Sequence, residues 1–119
     1  MALDAQSLLI QRLREQRLRW VDTGPGRRVQ VLVLRETELP QLRNRPLVDV
    51  VCDQAVAWEG YTEATLLGAA IGASDPLPFT PELWAEVARG SIDTVGAVGD
   101  VLIGEAKRVM EARAESRKN

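Results

Sequence analysis

The stretch Arg28-Val29-Gln30-Val31-Leu32-Val33-Leu34-Arg35 is the clearest strand in the chain. Val29, Val31 and Val33 alternate with Arg28, Gln30 and Leu32, and β-branched side chains fit a pleated surface. Just before it, Asp22-Thr23-Gly24-Pro25-Gly26 carries turn chemistry: glycine supplies positive φ and proline fixes its own. If Leu18 to Asp22 is also extended, the two segments make a hairpin. A lone hairpin is marginal in water, so this one must pack on helices or on a further strand from another chain.

Helical patterns surround that hairpin. Upstream, Asp4 is placed to cap a helix reaching about Arg17, with Leu9, Leu13 and Arg17 on one face and Ile10 beside them. Downstream, Glu36 to Arg43 reads as a short helical turn or loop. Asn44 reads as an N-cap with Pro46 in the first turn. Leu47, Val50, Val51, Gln54 and Trp58 then fall at helical spacing. Residues 45–57 also admit a strand, but continuation of the period to Trp58 favours helix.

Gly60 interrupts the pattern. Thr62 caps a short helix over Glu63 to Ala70, ended by Gly72, and a proline-containing loop follows to Pro78. Thr80-Pro81-Glu82 is a strong helix start, and that helix stops at Gly90. Ser91 or Asp93 caps a last helix to about Glu115, with an apolar stripe of Val95, Val98, Leu102, Ala106 and Val109 flanked by Met110. Gly96, Gly99 and Gly104 inside it suggest close packing against a neighbour.

The expected fold is therefore α+β and predominantly helical. An N-terminal helix and a small β-hairpin pack on three to four C-terminal helices. Residues 1–119 form a single domain, with a frayed polar tail over 113–119.

Composition narrows the chemistry. The chain has 119 residues, 45% hydrophobic and 27% charged, with a net charge of −2, one cysteine and no histidine. Without histidine, Ser-His-Asp and Cys-His catalysis are excluded. One cysteine makes neither an internal disulfide nor a thiolate zinc site. The expectation is no catalytic residue, no metal and no cofactor. No apolar run is long enough to span a membrane, and the opening Met1-Ala2-Leu3-Asp4 lacks the pattern of a secretory signal. A cytoplasmic location is expected.

Four candidate sites have bland explanations. Arg12, Arg14, Arg17, Arg19, Arg27 and Arg28 form a basic region, but no aromatic platform accompanies them and the chain is acidic overall, so nucleic-acid binding is not favoured. Glu82, Glu86, Asp93 and Asp100 are better explained as acids near helix starts than as an acid–base pair. Cys52, beside Asp53, reads as a structural thiol. Gly96-Ala97-Val98-Gly99 lacks the strand and lysine of a phosphate loop. The aromatic cluster Trp58, Tyr61, Phe79 and Trp84 holds four of the chain's five aromatic residues and reads as core first and interface second.

Within that cluster, residues 57–68, AWEGYTEATLLG, and 75–90, DPLPFTPELWAEVARG, resemble the tail assembly chaperones of long-tailed, siphovirus-like bacteriophages and prophages. Residues 29–42, VQVLVLRETELPQL, are similar to that family's strand and acidic turn, although the strand ends in LRETE instead of an arginine-proline pair. The resemblance covers about residues 28–110 and implies no catalytic residues. It implies a non-enzymatic chaperone that binds the tape-measure protein, keeps its apolar helices soluble and recruits tail-tube protein. It leaves room for a homo-oligomer and involves no membrane.

In many such phages a ribosomal frameshift adds a C-terminal extension, and Arg117-Lys118-Asn119 is compatible with the slippery heptamer A-AAA-AAC. The implied contact surface is Trp58, Tyr61, Leu66, Leu67 and Trp84, with the small residues Ala69, Ala70, Gly72 and Ala73 lining a groove for a helix. A different phage or bacterial interaction module, such as a head-tail adaptor or antitoxin-like binder, is the alternative. A small nucleic-acid-binding regulator comes after it.

Overall fold

The computed structural model describes residues 4–118; the opening Met1-Ala2-Leu3, read above for a secretory signal, and Asn119, the last residue of the run compatible with a slippery heptamer, lie outside it. The architecture is α+β and predominantly helical. The helices are α1 (Ala5–Glu15), α2 (Gln41–Asn44), α3 (Leu47–Gln54), α4 (Glu63–Leu67), α5 (Pro81–Arg89) and α6 (Ile92–Lys118); the strands are β1 (Leu18–Gly24), β2 (Arg27–Leu32) and β3 (Ala55–Glu59).

The expected hairpin forms and gains a third strand. β2 lies in the middle, antiparallel to both neighbours. Val21 pairs with Val29 and Val29 with Trp58, so these three share one buried row across the sheet. The register slips by one residue at Thr23 in β1 and at Val56 in β3, two bulges that increase the sheet's twist. β2 is itself shorter than expected: the ladder ends at Leu32, and Val33 and Leu34 turn into the core.

β3 corrects the helical expectation for Trp58. The helix that starts at Leu47 stops at Gln54, and the chain becomes extended at Ala55. Trp58 fell on the helical period by coincidence of register. The open edge of β2 supplies the backbone partners that make a strand the better solution there. Gln54 secures the changeover: its buried amide nitrogen donates to the Leu32 carbonyl at 2.7 Å. Asn44 ends α2 instead of capping α3, whose N-cap position is Pro46.

The core lies between the sheet and α3, α5 and α6. Val29, Val31, Val50, Val51, Trp84, Val98 and Leu102 are fully enclosed. Trp84 reaches from α5 to α3, where its indole nitrogen donates to the Val51 carbonyl at 3.2 Å. Gly99 lets α6 approach α3: a Cβ there would lie 2.7 Å from a methyl of Leu47. Gly96 and Gly104 meet nothing within 4 Å, so close packing accounts for one of the three glycines in this helix.

Four helix ends are capped as the sequence indicates. Asp4 accepts from the Ser7 amide at 2.7 Å, Thr62 from Thr65 at 3.1 Å, Thr80 from Leu83 at 3.1 Å and, of the two candidates for the last helix, Ser91 from Thr94 at 3.1 Å. Two boundaries differ. α4 ends at Leu67 because Gly68 takes φ 102°, well before Gly72. α6 continues to Lys118, so the segment expected to fray is helical, with every described residue beyond Ala106 exposed.

Candidate functional site: two apolar grooves

The residues proposed from sequence as one contact surface separate into two groups. Trp58, Tyr61 and Trp84 are 8%, 3% and 0% exposed and belong to the core. This corrects the assignment of Trp58 and Trp84 to a contact surface, since a side chain enclosed on all sides has no area left for a partner, and leaves Tyr61 only an edge in a groove wall. Trp58 stacks on Tyr61 with ring centroids 4.3 Å apart and meets the edge of Phe79 at 5.6 Å. Its indole nitrogen donates to the Leu77 carbonyl at 2.7 Å, while the Leu77 amide donates to the Tyr61 carbonyl at 2.9 Å. The aromatic cluster thus fastens the loop before α5 onto the sheet. The Tyr61 hydroxyl shares a hydrogen bond with Thr23, at the bulge in β1.

Leu66 and Leu67 behave differently. Leu66 is half-buried, and Leu67 is 60% exposed. With Leu83 and Val87 of α5 they line a groove of about 440 Å³, and Tyr61 contributes to its wall. Arg27, Thr65, Glu86 and Ser91 place polar groups around it. The Arg27 guanidinium sits 5.9 Å from the Tyr61 ring centre. Ala69, Ala70 and Ala73 are exposed and line neither groove. Gly72 packs against the backbone of Glu63 and Ala64 and closes the loop on itself.

A second, larger groove was not anticipated. It measures about 770 Å³ and runs between the 310 turn at Glu36–Glu38 with α2 on one side and the outer half of α6 on the other. Leu39, Leu42, Ile103, Val109 and Met110 supply apolar lining. An ion pair between Arg113, the last α6 residue of the lining, and Glu36 joins its two sides at the outer end. The signal in the sequence was the length of the α6 stripe. Val109 and Met110 continue it a full turn past Ala106, the last buried position.

The remaining candidates settle into structural roles. In the basic region, Arg17 pairs with Glu38 at 3.5 Å, Arg19 with Glu105 at 3.4 Å and Arg28 with Glu59 at 2.8 Å. Arg28 also lies over the Trp20 ring at 4.0 Å. Half of the six arginines are thus locally compensated. Glu82, Glu86, Asp93 and Asp100 are exposed, and no group of three His, Cys, Asp or Glu side chains is arranged for a metal among the described residues. Cys52 is half-buried. Burial pushes its thiol up, opposed by Arg89 and assisted by Asp49 and Asp53, which does not make a nucleophile. No described helix is long and apolar enough to cross a membrane.

No family model, curated protein or solved structure matches this chain.

Proposed function

We propose that this protein is a non-enzymatic chaperone for apolar helical segments, of the phage tail assembly type. In that role it holds helices of a tape-measure protein and brings tail-tube subunits to them. The observation that carries the reading is the groove between α4 and α5. It presents aliphatic side chains from two helices, with Leu67 exposed, next to hydroxyl groups and one guanidinium.

Such a surface suits helix-in-groove binding, in which a client lays an apolar stripe along the floor. Aliphatic lining imposes little sequence preference, as a chaperone coating a long and variable helix requires. The Ser91 hydroxyl, which accepts from the Thr94 amide, keeps its proton to donate to a polar group at the edge of the stripe.

The test uses a synthetic amphipathic helix with a leucine-alanine face that clouds in buffer. The expected outcome is that stoichiometric wild-type protein keeps it clear and that Leu67→Asp loses this effect while its circular dichroism and melting temperature stay the same. Clouding that is equally fast with and without wild-type protein would sink the proposal. Tyr61 is unsuitable for this test. Its burial means that a charge there would unfold the domain instead of reporting on binding.

A further inference from the structure

α1 has eleven residues, none of them buried. Leu9, Ile10 and Leu13 form a stripe about 100° wide on it, the width of a normal core-facing face, yet each is more than half exposed. The same chain carries the larger groove, whose lining on α6 runs from Ile103 to Arg113. At 1.5 Å per residue that is about 15 Å of groove, and α1 is about 16 Å long. We infer that α1 of one copy lies in the α2–α6 groove of a second copy, and reciprocally, so that the protein is a two-fold dimer with exchanged N-terminal helices.

The junction after α1 explains why a second copy takes the groove. α1 leaves the sheet beside its own groove, where Arg17 pairs with Glu38 and Arg19 with Glu105. That exit is held firmly. The Val33 amide donates to the Arg17 carbonyl at 2.8 Å, Arg17 Nε donates to the Val33 carbonyl at 3.2 Å, and Arg19 donates to the Gln16 carbonyl at 2.7 Å. Turning α1 onto its own groove would break the Arg19 bond to the Gln16 carbonyl and the bond from the Arg17 amide to the Arg14 carbonyl, whereas a neighbour reaches α1 where it stands.

Apolar contact drives this docking and charge does not, since α1 carries Arg12 and Arg14 beside Glu15 and the groove rim carries Arg43 and Lys107.

Area decides between one-sided and reciprocal docking. Half the surface of a helix this size plus the groove it fills comes to roughly 550 Å², well below a specific interface; two such sites reach about 1,100 Å², just past the ~1,000 Å² that a specific interface has to clear. This interface goes beyond the proposed function and does not depend on it, since the client groove between α4 and α5 is a different surface.

The experiment is sedimentation equilibrium of the full chain, wild type beside L9D/L13D on α1 and M110D in the groove. All the substituted residues are exposed, so the folded state is retained and is checked by circular dichroism. The expected result is a wild-type mass twice that of one chain at micromolar concentration, with both variants shifted to single chains or dissociating at least tenfold more readily. A wild type that stays a single chain up to millimolar concentration overturns the inference. So does a dimer insensitive to either variant: if only M110D dissociates, α1 is not the occupant, and if only L9D/L13D does, the groove is not the seat.

Discussion

Gly60 is the residue on which the join between β3 and α4 turns. It takes φ 83°, and a Cβ there would run into the Gly26 carbonyl in the β1–β2 turn. Both the left-handed backbone and the close approach demand glycine. Gly60→Ala is expected to cost on the order of 3 kcal/mol in urea unfolding; a loss under about 1 kcal/mol would mean that the turn yields easily. The glycine was readable as a break in pattern, but its contact with Gly26, far away in sequence, was not. Neighbouring Tyr61 and nearby Leu67 show the same division. Both looked like contact residues, and burial separates them because only Tyr61 is roofed by Trp58 and tied to Thr23.

Among the elements, α1 is the one stabilised by local terms alone within a single chain. It buries no residue, and its N-terminus is fixed by the Asp4 cap. The Asp4 carboxyl is held below its ordinary value of 3.8, chiefly by the Ser7 backbone amide. A carboxyl lowered in the folded form stabilises above its unfolded value and loses that contribution as pH falls through its lowered value. The cap therefore acts at neutral pH and fails only in strong acid. Asp4→Ala is expected to lower helical circular dichroism at pH 7 and, at concentrations where α1 is seated in a partner, to lower the melting temperature, and to match wild type once the carboxyl of the latter is protonated. A melting temperature unchanged at those concentrations would show that α1 packs on nothing. By contrast, the α3–β3 boundary escaped pattern reading. Residues 45–57 carry apolar side chains at both periods, and the unpaired edge of β2 decided between them.

For the molecule as a whole, one core joins the sheet to α3, α5 and α6, and Trp84 is its largest enclosed side chain. Trp84→Ala leaves a cavity and removes the donor from the Val51 carbonyl. The expected cost is about 3–5 kcal/mol, read by equilibrium unfolding in urea. A cost under about 1 kcal/mol would place Trp84 at the margin of the core. Leu67→Asp should leave this stability unchanged, and L9D/L13D should match wild type diluted to single chains, which keeps folding, pairing and client binding experimentally separate.

Local pattern and chemistry were enough to predict the helix starts at Asp4, Thr62 and Thr80 and another at Ser91 or Asp93, the strand at Val29 and Val31, the turn before it, and the α+β class. A cap or a period is encoded within a few residues and is satisfied by hydrogen bonds of the same short range. The tertiary structure alone decided that β2 would have two partners, that the aromatic cluster would be core, and that Leu39 and Leu42 would face Val109 and Met110 across a groove. Those outcomes depend on surfaces far apart in the chain meeting or failing to meet. The apolar stripe on α6 marks which residues avoid water, but not which of them the fold leaves uncovered.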